Sequence, residues 1–150
     1  MTLFEQINQD LMAAMKAKEK TRLEALRNLK KVLLEERANK GAGTELSDEE
    51  TFRFILRVIK QGKDAADIYQ QKNRPDLAEV ELEQVAALEV YLPKQMTQEE
   101  LTAAVRAIIE QTGAQSMKDM GKVMGIASKS LAGKADGKDI SAKVKELLTP

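Results

Sequence analysis

Apolar residues recur every three or four positions along most of the chain, and no alternating run is long enough to read as a strand. Phe4, Ile7, Leu11 and Met15 share one face of a helix predicted over Leu3 to Ala17. A charged stretch, Lys16 to Arg22, leads into a second helix with the line Leu26, Leu29 and Leu33 and with Leu23 beside it; Asn39-Lys40-Gly41-Ala42-Gly43 ends it. Phe52, Ile55, Ile59, Gly62, Ala66 and Tyr69 follow one another at spacings of 3, 4, 3, 4 and 3, a narrow seam suited to a neighbouring helix. Gly62 within that seam points to close helix–helix approach, because glycine there otherwise costs up to ~1 kcal/mol. Asn73-Arg74-Pro75-Asp76 interrupts the pattern, and a fourth helix carries Leu77, Val80, Val85, Leu88 and Leu92.

Pro93 is the candidate boundary. Beyond it, a fifth helix carries Leu101, Val105 and Ile108 and stops at Thr112-Gly113. A sixth carries Met117, Met120, Met124 and Ala127 and stops near Gly133, the methionines reading as core filling, and a last one carries Ile140, Val144 and Leu147. Three segments mark helix starts: Thr2-Leu3-Phe4-Glu5, Ser47-Asp48-Glu49-Glu50 and Thr97-Gln98-Glu99-Glu100. Each sets a hydroxyl three residues before a glutamate, so that hydroxyl and carboxylate satisfy each other's free backbone N–H groups. The expected fold class is all-α, with an N-terminal helical domain of about four helices over 1–93 and a small C-terminal three-helix domain over 94–150.

Composition agrees with a folded helical protein. In 150 residues and 16.7 kDa, 43% are hydrophobic and only 3% aromatic, so aliphatic side chains and methionine must fill the core. There is no cysteine and no histidine. That excludes disulfides, thiolate nucleophiles, Cys-based metal sites and a Ser-His-Asp triad, and it removes the usual general base near neutral pH. No cofactor or metal site is expected. Met1-Thr2-Leu3-Phe4-Glu5-Gln6 carries an early acid and no apolar core, so no secretory signal is expected, and no stretch reaches the ~20 apolar residues of a membrane helix. The expectation is a cytoplasmic monomer with no membrane partner.

Charge is uneven although 24 basic and 24 acidic residues cancel. Residues 1–40 hold 9 bases and 6 acids, residues 41–112 hold 8 and 14, and residues 113–150 hold 7 and 4, all seven of them lysine. Lys122 and Lys129, seven apart, project from one helical face; Lys134 and Lys138 follow, beside Gly133 and Gly137. Gly121 and Gly125 would let another backbone or a sugar–phosphate chain come close. Two readings stay open for these lysines: a phosphate-contacting patch, or the solvated face of an amphipathic helix. Gly133-Lys134-Ala135 is no nucleotide P-loop, since it lacks the following hydroxyl, the earlier glycine and a preceding strand. The paired glutamates Glu35-Glu36, Glu49-Glu50 and Glu99-Glu100 suit helix starts and exposed faces rather than catalysis. Ser116, Ser128 and Ser130 near Lys129 have no evident oxyanion hole.

Taken together, Arg22-Leu23-Glu24-Ala25-Leu26-Arg27, Glu89-Val90-Tyr91-Leu92-Pro93-Lys94-Gln95-Met96, Met120-Gly121-Lys122-Val123-Met124-Gly125, Gly133-Lys134-Ala135-Asp136-Gly137-Lys138 and Ile140-Ser141-Ala142-Lys143-Val144-Lys145-Glu146-Leu147-Leu148 resemble the YqeY family, part of the GatB/YqeY group. The resemblance covers essentially the whole chain. It implies a stand-alone relative of the helical tail of GatB, a subunit of the tRNA-dependent amidotransferase that makes amide-bearing aminoacyl-tRNA with glutamine nitrogen. Related domains are appended to some glutaminyl-tRNA synthetases. In those settings the tail helps to hold tRNA while the chemistry happens elsewhere. A label of carbon–nitrogen ligase activity with glutamine as amido-N-donor would therefore be inherited from the family, and no catalytic residue is expected here. The implied tRNA contacts are Lys122, Lys129, Lys134 and Lys138, with Gly121 and Gly125 allowing approach. The alternative is a protein–protein adaptor that docks on an aminoacyl-tRNA synthetase or amidotransferase subunit.

Overall fold

A computed structural model describes residues Met1–Pro150, and every regular element in it is helical. The helices are α1 Leu3–Ala17, α2 Lys20–Lys40, α3 Asp48–Gln71, α4 Pro75–Glu89, α5 Gln98–Thr112, α6 Met120–Ser130 and α7 Gly137–Leu148, with a 3-10 turn at Met117–Asp119. They form two compact units, Met1–Leu92 and Pro93–Pro150. None of the helices is long and apolar enough to cross a membrane.

All three capping boxes form. Thr2, Ser47 and Thr97 each accept the backbone N–H of Glu5, Glu50 and Glu100, and each glutamate accepts its cap residue's N–H in return. The other ends are set by different chemistry. Lys18 takes a left-handed conformation after α1 and Gly113 does so after α5, while Pro75 occupies the first turn of α4.

The first unit buries Ile7, Leu11 and Ala14 of α1 against Leu26, Leu29 and Leu33 of α2, Ile55 and Ile59 of α3, and Val85 and Leu88 of α4. Helix α3 departs from the narrow seam expected of it. Thr51, Phe54 and Val58 are buried beside Ile55, Ile59 and Ala66, whereas Phe52 is only half-buried. The reason is that α3 packs against α4 and also against α2 and α1, which needs a wider apolar stripe than a single partner does. Gly62 does mark close approach: a β-carbon there would sit 2.6 Å from Val85 Cγ2. Two expected core positions face solvent instead, Met15 at 43% exposure and Val80 at 45%, and Ala14 and Ala78 are buried in these helices. Small alanines at those positions let the helix backbones come together.

The second unit centres on Leu101, Val105 and Ile108 of α5, Val123 and Ala127 of α6, and Ile140, Val144 and Leu148 of α7, with Leu131 from the turn between α6 and α7. The methionine stripe is a partial exception to the sequence reading. Met120 and Met124 only flank the core, and Met117, which lies in the 3-10 turn, is 40% exposed. The smaller Val123 and Ala127 fill the centre, as three short helices at close spacing require.

Candidate nucleic-acid interface

The candidate residues lie on α6, the following turn and the start of α7. Helix α6 turns Val123 and Ala127 inward, so a 100° step per residue puts Gly121 and Gly125 on the opposite, outward side. Both glycines are exposed, and a β-carbon at either would meet nothing within 4 Å. Internal packing therefore does not require them, and Gly125, well inside the helix, costs about 1 kcal/mol of helix stability relative to alanine. Lys122 and Lys129 occupy one flank of this bare strip, two turns apart.

Lys134 lies in the turn joining α6 to α7, and Lys138 in the first turn of α7. That turn is firmly held. Gly133 adopts φ 75°, which a side chain would strain, and its carbonyl accepts a 2.6 Å hydrogen bond from Gln95 Nε2. The Lys134 carbonyl accepts the Met96 N–H at 2.9 Å, and Asp136 caps α7 by accepting the Lys138 N–H at 3.2 Å. The Lys134 and Lys138 side chains thus extend from a turn fixed at three backbone positions.

All four lysines are exposed and none takes part in an ion pair. The one ion pair of this unit, Lys143–Glu146 at 3.1 Å, leaves them free. Lys122 alone has an intramolecular contact, a long 3.5 Å bond from Nζ to the Thr112 carbonyl at the end of α5. Lys122 and Lys138 both sit in first turns, where the helix dipole opposes a cation by about 0.3–1 kcal/mol. Asp119, just before α6, tempers the charge of Lys122. Its carboxylate is held below the ordinary range by the hydrogen bond it accepts from the Gln115 N–H, with Lys122 and Lys118 adding to the effect.

A second cationic surface lies in the first unit, at residues that no sequence motif marks. Arg27, Lys30 and Lys31 of α2 surround a groove floored by Leu11 and Leu34. The excess of base over residues 1–40 was its only signal, and that count does not say which lysines share a face.

The arrangement defines a small all-α protein of two helical units, the second presenting unpaired lysines beside a side-chain-free strip. Over residues 4–148 the chain matches the family described as Yqey-like protein, and it belongs to that family. No curated protein matches it.

Proposed function

We propose that the chain is a stand-alone, non-catalytic tRNA-binding accessory protein, related to the tail of the tRNA-dependent amidotransferase. The observation that carries this reading is a pair of exposed, unpaired lysines, Lys122 and Lys129, on the flank of the open surface over Gly121 and Gly125, with Lys134 and Lys138, also exposed and unpaired, on the turn and helix that follow. A bare helix face lets a sugar–phosphate chain lie close while ammonium groups reach phosphates from one flank. Lys122 and Lys138 oppose helix dipoles, a cost that a bound polyanion would offset. With no aromatic residue after Tyr91, recognition is of helical shape and phosphate rather than of stacked, unpaired bases. The carbon–nitrogen ligase chemistry of the amidotransferase would lie in other subunits, and this chain would act in the cytoplasm as a holder of tRNA.

The test is a tRNA gel shift across a salt series. Four phosphate contacts give a slope of log K against log salt of roughly −3 to −4, and removing each lysine lowers the slope by about one. Lys122→Glu combined with Lys134→Glu weakens binding while the helical circular dichroism stays unchanged. Absence of any salt-dependent shift by wild-type protein at micromolar concentration would end this reading.

A further inference from the structure

The groove on the first unit carries a separate inference. It opens between α1 and α2 with a volume of about 420 Å³ and is lined by Leu11, Arg27, Lys30, Lys31, Leu34 and Glu35. Leu34 is 37% exposed within it, and Met15, one turn beyond Leu11 on α1, is 43% exposed. Arg27 and Lys31 are one turn apart and Leu34 follows Lys31 by three residues, so the three share the side of α2 that faces away from Leu29 and Leu33. None of Arg27, Lys30 and Lys31 takes part in an ion pair, and Glu35 is the single acid in the lining. Leu34 thus leaves over a third of its surface open to solvent among three unpaired cations.

We infer that this groove docks an acidic amphipathic helix of another protein. The floor asks for an apolar side chain and the rim for carboxylates, which is the helix-in-groove arrangement with its charges specified. Charge complementarity sets the sign of the partner: three cations against one acid select a helix rich in Asp and Glu along the flanks of its apolar stripe. A nucleic acid would satisfy the rim but leave the open Leu34 without an apolar counterpart, and the groove has no aromatic platform for a base. A second copy of this chain does offer an acidic helix, α4, with Asp76, Glu79 and Glu83 exposed and no basic residue. Head-to-tail docking of unlike surfaces leaves a free groove and a free α4 at either end unless the rotation closes a ring, so a separate polypeptide fits better. This inference does not depend on the tRNA reading, since the groove lies in the other unit.

The probe is a fluorescent synthetic helix with leucine on one face and glutamate on the others, titrated into the full chain and followed by anisotropy. Saturable binding is expected, weakened at least about tenfold by Leu34→Gln and again by Arg27→Glu combined with Lys31→Glu, a loss of ~1.4 kcal/mol per tenfold step. These side chains are exposed, so the circular dichroism of the variants should match wild type. Lys122→Glu with Lys134→Glu must leave peptide affinity unchanged, which separates failure here from failure of the tRNA reading. Equal affinity for polyglutamate, or no effect of Leu34→Gln, overturns the apolar floor. Displacement of the peptide by tRNA with loss of tRNA affinity in the Arg27/Lys31 variant would assign the groove to nucleic acid and overturn the inference. Concentration-dependent self-association abolished by that variant would assign it to a second copy, and no peptide binding at micromolar concentration would reject it outright.

Discussion

The Tyr91 hydroxyl donates a 2.6 Å hydrogen bond to Asp10 Oδ2 across 81 positions of sequence. Arg22 Nη2 lies 3.9 Å from the other oxygen of the same carboxylate, and its Nη1 bonds Glu19 at 3.1 Å. One carboxylate thereby ties α1, the start of α2 and the segment just past α4, at the point where the first unit ends.

Burial, reinforced by the Asp10 carboxylate, pushes the Tyr91 phenol well above the ordinary tyrosine range. An unfolded tyrosine releases its proton near pH 10 while the folded one keeps it, so this contribution is complete below about pH 10 and is lost as pH rises further. Tyr91→Phe is expected to cost about 1–2 kcal/mol at neutral pH, because Asp10 loses a donor. The variant should also lose less stability than wild type between neutral pH and about pH 11. Urea midpoints at the two pH values check both, and an unchanged midpoint at neutral pH would refute the tie.

Two helical glycines should respond oppositely to alanine. At Gly62 the new methyl meets Val85 Cγ2 at 2.6 Å, and Val85 is a buried β-branched side chain, stiff about its first torsion. Overpacking of about 1–3 kcal/mol outweighs the ~1 kcal/mol gained in helix propensity, so Gly62→Ala lowers the melting temperature. At Gly125 nothing lies within 4 Å, and Gly125→Ala gains up to ~1 kcal/mol, a rise of roughly 2–8 °C. If the bare strip receives tRNA, the stabilised variant binds it more weakly. Parallel thermal melts and gel shifts decide both points.

Local chemistry was legible and long-range pairing was not. The hydroxyl–glutamate spacing at Thr2, Ser47 and Thr97 located three helix starts because a cap is made within three residues of itself. Arg22 and Tyr91 stood inside the runs that carried the family resemblance, yet Asp10 did not, and no periodicity joins it to a residue 81 positions away. Val80 and Met15 fit the helical period but lie on faces without a neighbouring helix. Of the lysines, sequence placed Lys122 and Lys129 on one flank of a helix. It could not tell that Lys134 stands on a pinned turn, because that depends on Gln95 and Met96 folding back to Gly133 and Lys134. Arg27, Lys30 and Lys31 cannot be picked out from the sequence as a cluster, since the groove they line is completed by Leu11 on another helix.

The loop from α2 to α3 predicts an acid response. Lys40 Nζ bonds Glu50 Oε1 at 2.6 Å and the Glu45 carbonyl at 2.8 Å, closing the loop over Gly41 to Glu45. The Lys40 bond, with the Ser47 N–H after it, lowers the Glu50 carboxyl to about 2 from 4.5. A folded value below the unfolded one stabilises the protein above the ordinary carboxyl range, and that part is lost as pH falls from 4.5 towards about 2. The pair is solvent-accessible, so screening holds its worth under ~1 kcal/mol. Glu50→Gln should therefore lower stability slightly at neutral pH and flatten the fall between those values. Identical acid limbs for variant and wild type, measured by urea unfolding, would count against the pair.

The turn at Gly133 gives the most specific expectation for the candidate interface. Its φ of 75° places it where a β-carbon crowds the following carbonyl, at about 1–2 kcal/mol for most residues, while asparagine tolerates the region. Gly133→Ala should therefore lower stability by about that amount, the chain folding around the Gln95 bond to the residue 133 carbonyl. Gln95→Ala removes that bond separately, and a double-mutant cycle with Gly133→Ala should give a coupling of at least ~0.5 kcal/mol, because both act on one carbonyl. Since Lys134 and Lys138 extend from this turn, Gln95→Ala should also weaken tRNA binding without changing any charge. Additive stabilities in the cycle would mean the turn holds its shape without Gln95, and unchanged tRNA affinity would mean the two lysines do not depend on it.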